Sequence, residues 1–82
     1  MRQKIEKKLM ENLQPKFLQV ENKSHLHRGH LGDDGSGETH FAIIIAADSL
    51  ENLSHVQAHR KINKLLKVEF ENGLHALEIR VK

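Results

Sequence analysis

The chain has no cysteine, no tryptophan, no tyrosine and a single proline in 82 residues. Without thiols it closes no disulfide, builds no all-thiolate zinc site and holds no iron–sulfur cluster on sulfur of its own. A cysteine nucleophile is excluded as well. G-x-S-x-G elbow, P-loop and dinucleotide fingerprint are all missing, so no enzyme is expected. No apolar run approaches the roughly 18 residues of a membrane span. The stretch Met1–Lys8 also lacks the apolar centre of a secretory signal. The expectation is therefore a cytoplasmic protein without membrane contact. Aromatics are scarce, limited to Phe17, Phe41 and Phe70. A chain of this length buries only about 60% of its unfolded surface, so its core must be thin and aliphatic. Charge of either sign is unexceptional: 13 basic and 11 acidic residues leave a formal net charge of +2, too mild to mark a nucleic-acid binder by itself.

What the chain does have is histidine, seven in all. Three fall in His25-Leu26-His27-Arg28-Gly29-His30, which runs into Leu31-Gly32-Asp33-Asp34-Gly35-Ser36-Gly37. Neutral imidazole is the commonest protein metal ligand, one nitrogen coordinating while the other is fixed by a neighbour. Imidazole without thiol means that any thiolate at a shared site must come from a partner.

Hydrophobic spacing reads as one α+β domain over residues 1–82, in the order α-β-β-α-α-β. Ile5, Leu9 and Leu13 make a helical stripe over about 2–14, stopped by Pro15. Leu18 and Val20 alternate with Gln19 and Glu21 in a half-buried strand from Lys16 to about Ser24. Arg28 to Gly37 is an irregular, glycine-containing loop. His40–Ala47 is apolar at both parities, as expected of a central strand covered on both faces. Asp48 with Glu51, and Ser54 with Gln57, are two capping signals. They predict a helical turn at about 49–53 and a long helix at about 55–71, with Gly73 ending it. His75–Val81 alternates again, placing His75, Leu77, Ile79 and Val81 on one face. A hairpin joins the first two strands, and a helical crossover makes the last strand parallel to the second. The sheet is three-stranded and mixed, with helices packed on it.

On a helical wheel Ala58, Ile62, Leu65, Leu66, Phe70 and Val56 fill one half of the long helix, with His55 and His59 among them. His59 reads as a hydrogen-bonded histidine at the margin of the core. Gln57, Arg60, Lys61, Lys64 and Lys67 occupy the opposite arc, either as a solvated face or as a surface for phosphate or an acidic partner. His25 and His27 share one side of an extended segment, a reasonable chelating pair but an unspecific motif. His75 follows a glycine and opens the last strand, where a strand normally places an apolar residue; it is a metal ligand or a capped structural histidine. G-x-x-G occurs at Gly29–Gly32 and Gly32–Gly35, yet both copies lie between strands. The phosphate clamp of a KH domain lies between helices, so these are not evidence of RNA binding.

Ser24-His25-Leu26-His27, the glycine loop, Gly37-Glu38-Thr39-His40-Phe41, Val56-Gln57-Ala58-His59-Arg60 and Gly73-Leu74-His75-Ala76-Leu77 together resemble the BolA family, from about Ile5 to Val81. The resemblance implies a KH-like fold of the second type and a non-enzymatic partner of monothiol (CGFS) glutaredoxins. It implies a [2Fe–2S] cluster shared in the complex with the glutaredoxin cysteine and glutathione, and none on the isolated chain, which is expected to be a monomer. The family's ligand at the start of the last strand corresponds to His75. A second ligand comes from the loop after the first strand, with His27 the first candidate, His30 the second and His25 the third. Nitrogen on one iron and thiolate on the other is Rieske-like and raises the reduction potential. Some family members are described as transcriptional regulators, and DNA is the alternative partner here. The helix-turn-helix-like segment 49–71 would then act through Arg60, Lys61, Lys64 and Lys67, with Gln57 and Asn63 as its only base-reading candidates.

Overall fold

The computed structural model describes residues 1–24 and 39–82. Its elements are α1 (Arg2–Leu13), β1 (Phe17–Asn22), β2 (His40–Ala46), a 3-10 turn (Asp48–Leu50), α2 (His55–Leu65), α3 (Lys67–Glu71) and β3 (Ala76–Val81). The fold is α+β. The sheet order is β1-β2-β3, with β1 antiparallel and β3 parallel to the central β2.

Register follows from the apolar parity of each strand. Val20 and Leu18 face Ile43 and Ile45 across the hairpin, while Leu77, Ile79 and Val81 face Phe41, Ile43 and Ile45 on the other side. A slip of one residue would turn these side chains to the opposite face, so burial pins the pairing. Ile5 and Leu9 of α1, Ile62 and Leu66 from the second half of the chain, and Ile45 of β2 are all fully buried, and together they set the core between sheet and helices. Among the described residues only one face of β2 is covered by helices, contrary to the expectation from its apolar run. His40 is buried on the other face, but Ala42, Ile44 and Ala46 there are half-buried between the flanking strands.

The predicted first helix and both outer strands form within two residues of their expected limits. Gln14 closes α1 in the left-handed region at φ 46°, where the following Pro15 disfavours further helix. Ser54 forms a complete capping box: its hydroxyl accepts from the Gln57 N–H, and the Gln57 side chain accepts from the Ser54 N–H. Gly73 takes φ 122° after the last helix, a conformation that glycine adopts without a Cβ clash.

Three other expectations need correction. Asp48 does not cap. The residue ahead of the 3-10 turn is Ala47, and the Asp48 carboxylate instead meets Lys16 Nζ at 2.6 Å, with Glu51 at 3.3 Å from the same ammonium. This holds the Asp48 carboxyl below its usual range and the Lys16 amine above its own, chiefly through the hydrogen bond between them. The long helix is broken at Leu66 (φ −100°, ψ 18°), although neither glycine nor proline is present there. Leu66 is fully buried, and its N–H is shared between the carbonyls of Ile62 and Asn63, so packing tightens the turn at that point. Finally, Val56 is 58% exposed. The core stripe runs Ala58, Ile62, Leu66 and on to Glu69, which leaves Val56 well outside it.

Glu69 is therefore a buried carboxylate, 4% exposed. Lys8 of α1 stands 3.2 Å from its Oε1, but off hydrogen-bonding geometry. The contact is an ion pair that ties α1 to α3.

Candidate metal centre

Where β1 ends and β2 begins, three small polar groups knot the chain to the start of β3. The Ser24 hydroxyl accepts the N–H groups of Thr39 (2.9 Å) and His40 (3.0 Å) and donates to the His40 carbonyl (3.3 Å). The Thr39 carbonyl accepts the N–H groups of both His75 (2.8 Å) and Ala76 (3.1 Å). All three of Ser24, Thr39 and His40 are buried. Their N–H groups would be costly to leave unpaired, so this knot is an obligatory part of the fold.

The two N–H groups converging on one carbonyl explain where His75 lies. The convergence interrupts strand alternation before the ladder begins, much as a bulge does. Leu74 takes the core position, 3% exposed, and His75 is left exposed just ahead of β3. His75 thus does not share the face of Leu77, Ile79 and Val81, as its parity suggested. Its ring instead lies against that of His40, centroids 5.3 Å apart and planes tilted by 52°. His40 is 7% exposed, and its Nδ1 shares a hydrogen bond of 2.8 Å with Thr39 Oγ1. A buried, oriented imidazole backs an exposed one.

His40 was not among the candidate ligands read from the sequence. Its signal was present: a histidine heading an apolar strand, next to a threonine able to fix its ring. His25, His27 and His30 lie outside the described residues. So do the two G-x-x-G segments. Both ends of that stretch are nevertheless placed, because Ser24 and Thr39 are bonded to each other and Thr39 to His75.

The structure separates the other candidates from this centre. His59 is half-buried; its ring meets His55 edge-on at 6.5 Å and makes no hydrogen bond among the described residues. The hydrogen bond expected for it is thus not formed among the described residues, and its ring contact is with His55. Gln57, Arg60, Lys61, Lys64 and Lys67 are all exposed, as the wheel predicted, and Asn63 is exposed as well. A shallow depression of about 420 Å³ is lined by residues of all three strands, among them Gln19, Glu21, Ala42, Glu78 and Arg80, and by His59 of α2, but by neither His40 nor His75. Among the described residues its mixed walls gather no metal-binding set.

Comparison with known proteins gives this arrangement a context. A family model described as BolA-like protein matches residues 9–82. The chain belongs to the BolA-like family. It is 49% identical over 76 residues to an uncharacterized protein from the cobS 5' region of a Sinorhizobium species, an alignment covering 92% of this chain and 82% of that one. A protein of Haemophilus influenzae named DNA-binding transcriptional regulator BolA is 38% identical over 77 residues, covering 94% of this chain and 71% of the relative. The solved structure of the BolA domain of SufE1 from Arabidopsis thaliana superposes with a TM-score of 0.90 at 42% identity, covering 99% of this chain and 88% of that one. The BolA-like fold thus accounts for the α-β-β-α-α-β order and the mixed sheet. Among the described residues no helix is long and apolar enough to cross a membrane.

Proposed function

We propose that this BolA-like chain is a non-enzymatic adaptor that docks a monothiol glutaredoxin and co-ligates a [2Fe–2S] cluster through His75 and one histidine of residues 25–38. His27 is the first candidate for the second position and His30 the next. The observation that carries the proposal is the knot at Ser24, Thr39 and His40. It fastens the two ends of the histidine-bearing stretch to the backbone of His75, whose imidazole is exposed and backed by a second ring.

The donor set fits half of such a cluster. The chain offers nitrogen and no thiol, so the glutaredoxin cysteine and glutathione would supply the sulfur ligands. When bound, the cluster supplies one-electron chemistry or transferable iron and sulfide. The chain's own part is to present imidazole from a rigid strand entry, which holds ligand geometry better than a loop does. His40, its own ring held by Thr39, lies against the ring of His75. Cluster assembly, trafficking or iron regulation is the corresponding role, and cytoplasm the compartment.

The test is reconstitution of the chain with a monothiol glutaredoxin, glutathione, iron and sulfide, followed by visible absorption and circular dichroism. The wild-type chain should give a spectrum distinct from that of glutaredoxin alone. His75→Ala should keep the fold, because the side chain is exposed, and lose that spectrum. A folded His75→Ala chain giving the wild-type spectrum would refute the assignment.

A second reading has an observation of its own. Arg60, Lys61, Lys64 and Lys67 all face solvent from α2 and the start of α3, and the Haemophilus relative is named a DNA-binding regulator. Duplex DNA bound at this arc would be held through phosphates, with Gln57 and Asn63 nearest to reading bases.

A further inference from the structure

β3 is an edge strand. Among the described residues it pairs with β2 on one side only, and the parity of that pairing is fixed by the bonds from the Ala76 N–H to the Thr39 carbonyl and from the Lys82 N–H to the Ile45 carbonyl. Even-numbered residues therefore bond inward. The N–H and C=O groups of Leu77, Ile79 and Val81 point away from β2, and no other described segment hydrogen-bonds to them. The strand runs for six residues without proline or glycine. Folds usually blunt such an edge because it invites another strand.

Two features show what fits here. Leu77, Ile79 and Val81 belong to the core parity yet remain half-buried, so the apolar layer reaches this edge unfinished. On the opposite face Glu78 and Arg80 are exposed, and neither has an ion-pair partner among the described residues. Their paired neighbours on β2 are Ala42 and Ile44, which offer no charge.

We infer that this edge is a self-pairing surface, on which a second copy of the chain adds its own β3 antiparallel about a two-fold axis at Ile79. In that register Ile79 meets its own copy and Leu77 meets Val81. These are the residues whose backbone groups point outward, so they form the narrow hydrogen-bonded pairs of an antiparallel ladder. Glu78 then stands opposite Arg80, twice by symmetry, at the wide positions where side chains approach most closely. Moving the axis one residue either way places Glu78 on Glu78 or Arg80 on Arg80. The charges thus select one register and complement themselves, as a two-fold contact requires. The result is a continuous six-stranded sheet. His75 lies beyond the last pair, Ala76 with Lys82, so the candidate metal centre is left open and the inference does not depend on the proposed function. A single strand pair buries little area, which makes the association weak and concentration-dependent. The monomer expected from the sequence then describes dilute solution only.

Sedimentation equilibrium of the full chain up to about millimolar concentration tests this. A monomer–dimer equilibrium is expected. Glu78→Arg and Arg80→Glu should each weaken it by about tenfold, since each puts like charges opposite one another. The double exchange, Glu78→Arg with Arg80→Glu, should restore it. A strictly monomeric wild type, or a dimer indifferent to the single reversals, overturns the inference. So does failure of a folded double exchange to restore association. A measurement without variants stands beside these. Amide exchange at Leu77, Ile79 and Val81 should slow as wild-type concentration rises, and unchanged exchange at those three amides would likewise overturn it.

Discussion

Single side chains at the strand entries show how little separates a structural polar group from a functional one. Ser24, with one hydroxyl, satisfies two N–H donors and contributes a third bond to the His40 carbonyl. Ser24→Ala leaves two buried donors unpaired and should cost about 1–3 kcal/mol, read as a lowered melting temperature. It should also weaken the reconstituted cluster spectrum, because the ends of the histidine-bearing stretch are no longer fastened. A variant as stable as wild type would show that water or a shifted backbone replaces the hydroxyl. Asp48 makes a separate point about exposed charges. Its carboxyl is held below the ordinary value of 3.8 by the Lys16 ammonium. The sign of the linkage follows: the favourable contribution is complete above the unfolded-state value and is lost as pH falls through the lower folded-state one. Lys16 is the mirror case, contributing fully below 10.5 and losing its effect as pH rises through its raised folded-state value. A carbon-detected titration should place the Asp48 midpoint below 3.8, and Lys16→Met should return it to the ordinary range. Equal midpoints in the two proteins would mean that the pair does not persist in solution.

At the scale of elements, what could be read from the residues depended on whether a signal was local. The capping box at Ser54 and Gln57 is a four-residue pattern and it forms as read. The stripe Ile5, Leu9, Leu13 and the alternation in β1 and β3 are equally local, and so is the parallel return of β3 once the helices between the strands are recognised. Asp48 failed as a cap because Lys16, far away in sequence, competes for its carboxylate. The break at Leu66 was invisible for the same reason: no residue there disfavours helix, and packing alone imposes the turn. Glu69 could have been found, since it extends the spacing of Ala58, Ile62 and Leu66, but a charge on a core stripe is normally discounted. Of the centre, His75 was legible as a residue, whereas its orientation toward His40 depends on the shared carbonyl of Thr39. The Lys8–Glu69 pair supports a prediction about α1 and α3. Removing one partner strands a buried charge, whereas removing both does not. Lys8→Met should destabilise by about 1–2 kcal/mol, less than for a fully buried pair because Lys8 is one-third exposed. Adding Glu69→Leu should recover most of that loss. Denaturant melts of the single and double variants decide it; a double variant less stable than Lys8→Met would mean that the carboxylate has another role.

For the whole molecule, the two readings of function use different surfaces, so they separate by physics. The imidazoles of His40 and His75 lie at the entries of β2 and β3, and ligand bonds to iron are indifferent to moderate salt. The basic arc on α2 and α3 would bind phosphate by releasing counterions, which is steeply salt-dependent. With Arg60, Lys61, Lys64 and Lys67 all on phosphates, the slope of log affinity against log salt should be about −3.6, or roughly a hundredfold loss between 50 and 200 mM. Over that same range the cluster spectrum of the chain with glutaredoxin should hold its amplitude. Lys61→Gln with Lys64→Gln should flatten the DNA slope by about 2 and leave the cluster unchanged, while His75→Ala should do the reverse. Fluorescence anisotropy with a labelled duplex and visible circular dichroism, run on the same variants across one salt series, measure both. If the lysine substitutions abolish the cluster spectrum as well, glutaredoxin docks on the basic arc, and the adaptor and DNA readings then compete for one surface instead of occupying two.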